Sequence, residues 1–381
     1  MSPVRSSLLL PRAGLRSHPA CRMIAPAFII AFNRMVSLSA SVPAATLNWT
    51  PARDLPEANG LKGMVAGVTG GRILLAGGSN FPVPKRAGGG KTYHCAGWMQ
   101  PVSAGGRGPW TPLGDVLMHP LAEGASVTTP HGIVSLGGDG GSGMLADVFL
   151  LAWNERRGAP DRHALPALPL AVGGAAAAWH EGKVYVAGGD DGRGGTLLWA
   201  ALDLVAAQRD PAAARWESLP AWPGPRRFGA ALVPVAFPQG VRLVLAGGKI
   251  GTPGPAVQRD YLDDAYAFDP VARSWHSLPP MPRRALLAVA FSPAPGRLII
   301  AGGSDGHDIE RVAELGEGYR LPADAMVFDV ATGQWSQAGE MPLGVAGASV
   351  VPLPGGGHLV AGGEYSPALR TPQVFVVEEA R

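Results

Sequence analysis

One phrase recurs six times along the chain and constrains its fold more than any other feature: "RILLAGGS", "GIVSLGGD", "KVYVAGGD", "RLVLAGGK", "RLIIAGGS" and "HLVAGGE". The glycine pairs begin at 77, 137, 188, 247, 302 and 362, at spacings of 60, 51, 59, 55 and 60 residues. Periods of this size mark repeat architectures, in which each unit buries its apolar face against its neighbours. Each phrase is a short β-branched and leucine-rich run that stops at two glycines. That is the pattern of a buried inner strand whose end lets the backbone turn or pass close to a neighbour. Upstream of most pairs lies a run of small residues, such as "FGAALVPVAF", "ALLAVAF" and "AGASVV". Downstream come strands of the form "DDAYAFDP" and "DAMVFDV", then one led by Trp216, Trp275 or Trp335 and ended by Leu-Pro or Met-Pro. Proline ends it because it has no N–H to give to a ladder. Four strands per repeat and six repeats predict an all-β chain, a six-bladed β-propeller. Composition agrees, since 54 glycines, 37 prolines and 46% hydrophobic residues against 16% charged ones exclude a disordered chain and disfavour a helical bundle.

The ends of the chain complete this reading. After the sixth glycine pair only "PQVFVVE" remains, and the tryptophan-led strand missing there stands at the start as "LNWTPARDLPEA", with Trp49 and Leu55-Pro56. The first strand is therefore expected to complete the last blade, residues 46 to 52 pairing with 372 to 378, and residues 46–381 form one propeller domain. Residues 1–45 are a tail of different character. Arg5, Arg12, Arg16 and Arg22 precede an apolar run, "MIAPAFIIAF", and small residues follow, which reads either as an export signal or as a misassigned start upstream of Met23 or Met35. The first alternative places the protein in the periplasm, the second in the cytoplasm. No segment reaches the ~20 consecutive apolar residues of a membrane span. The formal net charge of +3 is small and much of the arginine excess lies in the tail, so no basic face points to nucleic acid. Cys21 and Cys95 form no disulfide framework. Nothing in the sequence fixes an oligomeric state.

If the strands run outward from the axis, the segments after each glycine pair and before each small-residue strand open on one face. They carry Asn80, Asp139, Asp190, Asp191, Lys249, Asp305, His307, Asp308 and Glu364, and Glu57, Lys62, Glu123, Arg226, Arg227, Arg283 and Arg284. Charges scarce elsewhere gather at one mouth, as a polar-ligand site over a propeller channel requires, although exposed loops are polar in any case. In "VAGGEYSPALRT" at 360–371, Glu364 is the first residue off the sixth glycine pair and Arg370 starts the next strand. The plainest reading of the two is a local ion pair, worth little if exposed. "KRAGGGKT" is no phosphate loop, because Lys85 stands where the first glycine belongs and no helix follows. "TYHC" at 92–95 reads as packing in the third strand of the first blade. The histidines lack any HExxH or CxxC context, so no metal is expected.

Three stretches carry a resemblance: "LPEANGLKGMVAGVTGGRILLAGGSNFP" at 55–82, "GPRRFGAALVPV" at 224–235 and "AGASVVPLPGGGHLVAGGEYSPALRTPQVF" at 346–375. They resemble the kelch-type N-acetylneuraminate epimerases, or sialic acid mutarotases, over essentially residues 46–381. The blade order resembles a cyclically permuted branch, because residues 166–204 match what is the first blade of the enterobacterial enzymes. The specific part is the pattern G-E-x-x-P-x-L-R-T, similar here at Gly363, Glu364, Pro367, Leu369, Arg370 and Thr371. The resemblance implies a six-bladed kelch propeller that interconverts the anomers of a sialic acid without cofactor or metal. Glu364 would be its acid/base and Arg370 its essential arginine; Arg226, Asn80 and Arg283 are the further candidates for binding the sugar acid. Arg226 falls on a family arginine, but Arg227 stands where the family has an acid, and the blade insert "SDGHDIERVAELGEGYRLPAD" is shorter than its enterobacterial counterpart. The alternative is a non-catalytic kelch propeller that binds a glycan or protein through the same face, since fold does not imply function.

Overall fold

The computed structural model describes residues 46–251 and 257–380, so the expectations for the arginine-rich tail lie outside the described residues. Six four-stranded antiparallel sheets follow one another around an axis. In blade 1 the strands are Val65–Thr69, Arg72–Ala76, Ala96–Pro101 and Thr111–Asp115, from the axis outward. The small-residue strands are innermost, and the glycine-pair strands are second. Small side chains suit the inner position because six strands converge there; around the axis they leave a cavity of ≈ 440 Å³ lined by residues such as Ala66, Ser126, Ala177 and Ala290. The glycine-pair strands carry the core, Ile73, Leu74, Leu75, Leu243, Leu245, Leu298 and Ile299 among them, all fully buried between adjacent sheets. Removing such side chains from water is worth about 1.5–3 kcal/mol each.

The pair itself has a mechanical reason. Its first glycine lies against the carbonyl that opens the next blade: a Cβ on Gly77 would stand 2.6 Å from Leu121 O, and one on Gly362 2.3 Å from Leu61 O. The second glycine donates its N–H to that same carbonyl, at 2.8 Å for Gly78 to Leu121 and 2.8 Å for Gly363 to Leu61. The equivalent bonds run from Gly138 to Val172, Gly189 to Arg227, Gly248 to Ala285 and Gly303 to Val345. At the rim, tryptophans of the outer strands clasp the preceding blade: Trp216 Nε1 donates to Pro166 O (2.9 Å), Trp275 to Pro220 O (2.8 Å) and Trp335 to Pro279 O (2.9 Å). The prolines that end one strand thus supply the acceptors for the next blade.

The last blade closes as expected. Its strands are Ser349–Pro352, His358–Ala361, Val374–Glu379 and, outermost, Leu47–Pro51 from the start of the chain, in register from Leu47 opposite Glu379 to Pro51 opposite Phe375. One expectation shifts. Thr92–Tyr93 is not the third strand of blade 1 but pairs with Ser79–Asn80 in a separate two-stranded ribbon, and the third strand begins at Ala96. Blade 5 carries an insert with a short helix, Val312–Leu315.

Candidate functional site

On the glycine-pair face a cleft of ≈ 580 Å³ lies between three segments: Phe81 and Pro84–Arg86 of blade 1, Val312, Ala313 and Gly316 of the blade 5 insert, and residues 364–370 of blade 6. The blade 6 segment is a hairpin, Glu364–Ser366 against Leu369–Arg370, in which Glu364 and Arg370 are register partners. Its backbone is anchored by reciprocal bonds between Glu364 and Ala346 (2.8 and 2.9 Å) and by Thr371 N donating to Gly363 O (3.0 Å). Pro367 and the left-handed Ala368 (φ 64°) make the turn, and Ala368 N–H donates to Glu364 Oε2 (3.2 Å). The turn therefore folds both side chains onto the same wall.

There Arg370 Nη1 meets the Glu364 carboxylate, the local ion pair that the plainest sequence reading expected. It is not an exposed one: the arginine side chain is 4% exposed and the glutamate 21%. The guanidinium also lies over the Phe81 ring, 5.2 Å from its centroid. Its Nε has no hydrogen-bond partner among the described residues. Burial pulls the Arg370 pKa down to about 10, against the pull of Glu123, and the group stays a cation at neutral pH. Behind the hairpin, Lys62 Nζ lies 3.4 Å from Glu123, both largely buried. Burial, Arg370 and Lys91 press the Lys62 pKa below its ordinary value against the pull of Glu123. Burial works to raise Glu123, but Lys62, Lys91 and Arg370 outweigh it and hold this carboxyl below the usual range. Lys91 in turn pairs with Asp139 (3.5 Å), on which the Tyr93 hydroxyl also bonds.

The structure brings Glu364 and Arg370 together and separates the other candidates from them by their contacts. Asn80 is fully buried, its Nδ2 donating to Gly60 O (3.1 Å) and its Oδ1 accepting from His94 Nε2 (3.0 Å), so both ends hold the loop. Arg283 is clasped by Asp324 (2.8 and 2.9 Å) and by the carbonyls of Arg284, Gly302 and Asp324, which occupies its donors in joining strands. Arg226 is exposed, while Arg227 beside it is fully buried in a bidentate bond to Asp264 (2.6 and 2.7 Å). Several face acids serve their own turns, as Asp190 does for Gly192 N (2.8 Å) and Asp305 for His307 N (2.9 Å). Sequence reasoning placed Lys62 and Glu123 on this face without singling them out. The signal lay in one aligned column, where Gly63, Glu123, Gly174, Gly229, Leu287 and Gly347 follow the glycine-pair acceptors at the same distance. Among the described residues no group of three or more His, Cys, Asp or Glu could hold a metal ion.

Comparison with known proteins gives this site a context. A Kelch motif model matches residues 242–282. Proteins named N-acetylneuraminate epimerase are similar to this chain: that of Yersinia enterocolitica is 26% identical over 234 residues, covering 55% of this chain and 56% of its own. That of Yersinia pestis is 28% identical over 219 residues (51% and 52%), and that of Haemophilus influenzae 25% over 228 residues (54% and 57%). The chain thus spans about half the length of the curated relatives it matches. A solved structure titled "Structure of YjhT" superposes with a TM-score of 0.64 at 17% identity, covering 87% of this chain and 99% of that one, a likeness of fold. With its six blades and glycine-pair repeats, the chain is a kelch-type β-propeller and a relative of the proteins named N-acetylneuraminate epimerase.

Proposed function

We propose that the protein is a sialic acid mutarotase, interconverting the α and β anomers of N-acetylneuraminate by acid–base opening and closing of the sugar ring. The observation that carries this reading is the Glu364–Arg370 pair, set by one hairpin in the wall of a cleft, in a chain related to proteins of that name. A free sugar acid offers one anionic group and one anomeric hydroxyl, and the pair offers a complement to each. Arg370 receives the ligand's carboxylate, for which a planar guanidinium is suited. As it does so, Glu364 loses its partner, and a carboxylate released from a buried cation is a stronger base. Glu364 then takes the proton of the anomeric hydroxyl. The electron pair of that O–H bond becomes the new carbonyl, the bond from the anomeric carbon to the ring oxygen breaks, and the ring oxygen takes up a proton. Rotation about the former ring bond between the new carbonyl carbon and its neighbouring chain carbon presents the other carbonyl face, and the reverse steps then give the other anomer, with no net change in protons or electrons.

The reaction can be followed by proton NMR of freshly dissolved α-N-acetylneuraminate with and without protein. Glu364→Gln preserves shape but removes the base, so the rate should fall by the ~10²–10⁴ typical of general acid–base catalysis while binding survives. Relaxation of the anomers by Glu364→Gln at the unmutated rate would overturn the mechanism and leave a propeller that binds its ligand without turning it over.

A further inference from the structure

Six residues, one from each blade, close a ring of backbone hydrogen bonds around the axis just beneath the candidate site. Gly63 N–H donates to Gly347 O (3.1 Å), Gly347 to Leu287 (2.7 Å), Leu287 to Gly229 (2.7 Å), Gly229 to Gly174 (2.7 Å), Gly174 to Glu123 (2.7 Å) and Glu123 back to Gly63 (3.0 Å). All six have left-handed backbone, with φ between 55° and 70°. Glycine takes that conformation without cost, whereas other residues are strained there by about 1 kcal/mol or more. Two blades depart from glycine, and strain that persists needs an offsetting interaction.

Leu287 has one in its packing, since its side chain joins the cluster of Tyr319, Leu321 and Ala346 under the blade 5 insert. Glu123 has no such apolar setting. Its carboxylate lies over the ring, where a Cβ on Gly63 would stand 3.2 Å from Glu123 Cδ. Lys62 crosses the ring from the other side, its stem covering Gly347, where a Cβ would stand 2.5 Å from Lys62 Cε. The neighbouring glycines therefore make the room in which the two side chains meet. Gly347 directly follows Ala346, the backbone partner of Glu364, so the pair lies against the root of the catalytic hairpin. Lys62 Nζ stands 3.4 Å from this carboxylate.

We infer, building on the reading of a sugar-acid site, that Glu123 is a positioning residue: from the axis its ion pair holds Lys62 beside the hairpin, so that the ammonium group is presented to the carboxylate of the bound ligand. Its conformation is a cost to the fold that the site requires. Replacing it by glycine gives the ring a fifth glycine and relieves that strain, so the consequences for fold and for binding should point in different directions.

The experiment measures melting temperature and the calorimetric affinities of N-acetylneuraminate and its methyl ester for the wild type, Glu123→Gly and Glu123→Gln. Glu123→Gly should melt within a few degrees of the wild type, yet bind the acid at least tenfold more weakly, with little change for the ester, so that preference for the carboxylate is lost. Glu123→Gln, which keeps the side-chain shape, should show the same loss and serves if the glycine variant does not fold. An unchanged preference in both variants overturns the proposal. So does a large fall in melting temperature with unaltered affinity, because the ion pair would then serve the fold alone. If the wild type binds the acid without relaxing its anomers, the mutarotase reading falls while Glu123 is still judged on binding. If the wild type binds neither ligand, both readings fall.

Discussion

Arg227 illustrates what one residue's charge does and does not reveal. It sits where the other five blades have Leu61, Leu121, Val172, Ala285 and Val345, the residues whose carbonyls accept the second glycine of each pair. Its side chain is fully buried, with Nη1 donating to Gly247 O (2.9 Å), two bonds to Asp264, and the rings of Trp222 and Tyr266 at 5.6 and 5.5 Å. Removing one partner of such a pair leaves the other without compensation, whereas removing both can be close to neutral. Arg227→Leu should therefore destabilise by about 3 kcal/mol in urea denaturation, the low end for buried pairs because Asp264 is 24% exposed and keeps the Tyr266 hydroxyl. Arg227→Leu with Asp264→Asn should lose less than the two single changes together; strict additivity would show the pair to be uncoupled. The sequence offers Arg226, Arg227, Arg283 and Arg284 as equivalent charges near one face, and only their partners separate them. That Glu364 and Arg370 meet was readable because both stand in one short segment, six residues apart around a proline turn. The partners of Asn80 and Arg283 were not readable, because Gly60 O and Asp324 lie 20 and 41 residues away in the chain.

At the scale of elements, the strands that repeat were readable and those that do not repeat were missed. Six copies of a glycine-pair phrase expose a period that no single strand would, whereas the ribbon of Ser79–Asn80 with Thr92–Tyr93 and the hairpin of Glu364–Ser366 with Leu369–Arg370 are too short to show alternation. The contacts between elements also carry a pH dependence invisible in sequence. His358, at the start of the second strand of blade 6, stacks on Phe291 of the innermost strand of blade 5, with centroids 4.4 Å apart and planes at 30°. Its Nδ1 is buried without a hydrogen-bond partner among the described residues. Burial disfavours the charged ring and depresses its pKa to about 4. The unfolded chain, with an ordinary histidine near 6.5, then binds more protons than the folded one between those values. This group's share of stability is accordingly intact above about pH 6.5 and lost as pH falls toward 4, by up to about 3 kcal/mol. Urea denaturation from pH 4 to 7 should show that slope, and His358→Gln should flatten it. An unchanged slope in the variant would assign the effect to other groups.

For the whole molecule, closure is the property on which everything else depends. Each blade is joined to the next through a carbonyl held by a glycine pair, and the sixth pair holds Leu61 of the first blade, so the ring of contacts has no free end. Covalently the chain is open, and only the pairing of Leu47–Pro51 with Val374–Glu379 makes the sixth sheet complete. Ala380 N–H donates to Thr46 O (2.7 Å), which brings the two ends of the described propeller together. Because the first blade supports the Lys62 side of the site and the sixth its hairpin, this junction also holds the site together. Deleting residues 46–52 removes five register pairs and the burial of Leu47, together worth roughly 5 kcal/mol, and leaves an unpaired strand edge. Relative to a chain that begins at Thr46, the truncated protein should melt roughly 5–10 °C lower and associate in a concentration-dependent way through its bare edge, as sedimentation would detect. A melting temperature equal to that of the longer chain would mean that the glycine-pair contacts close the ring unaided, and that the first strand only covers it.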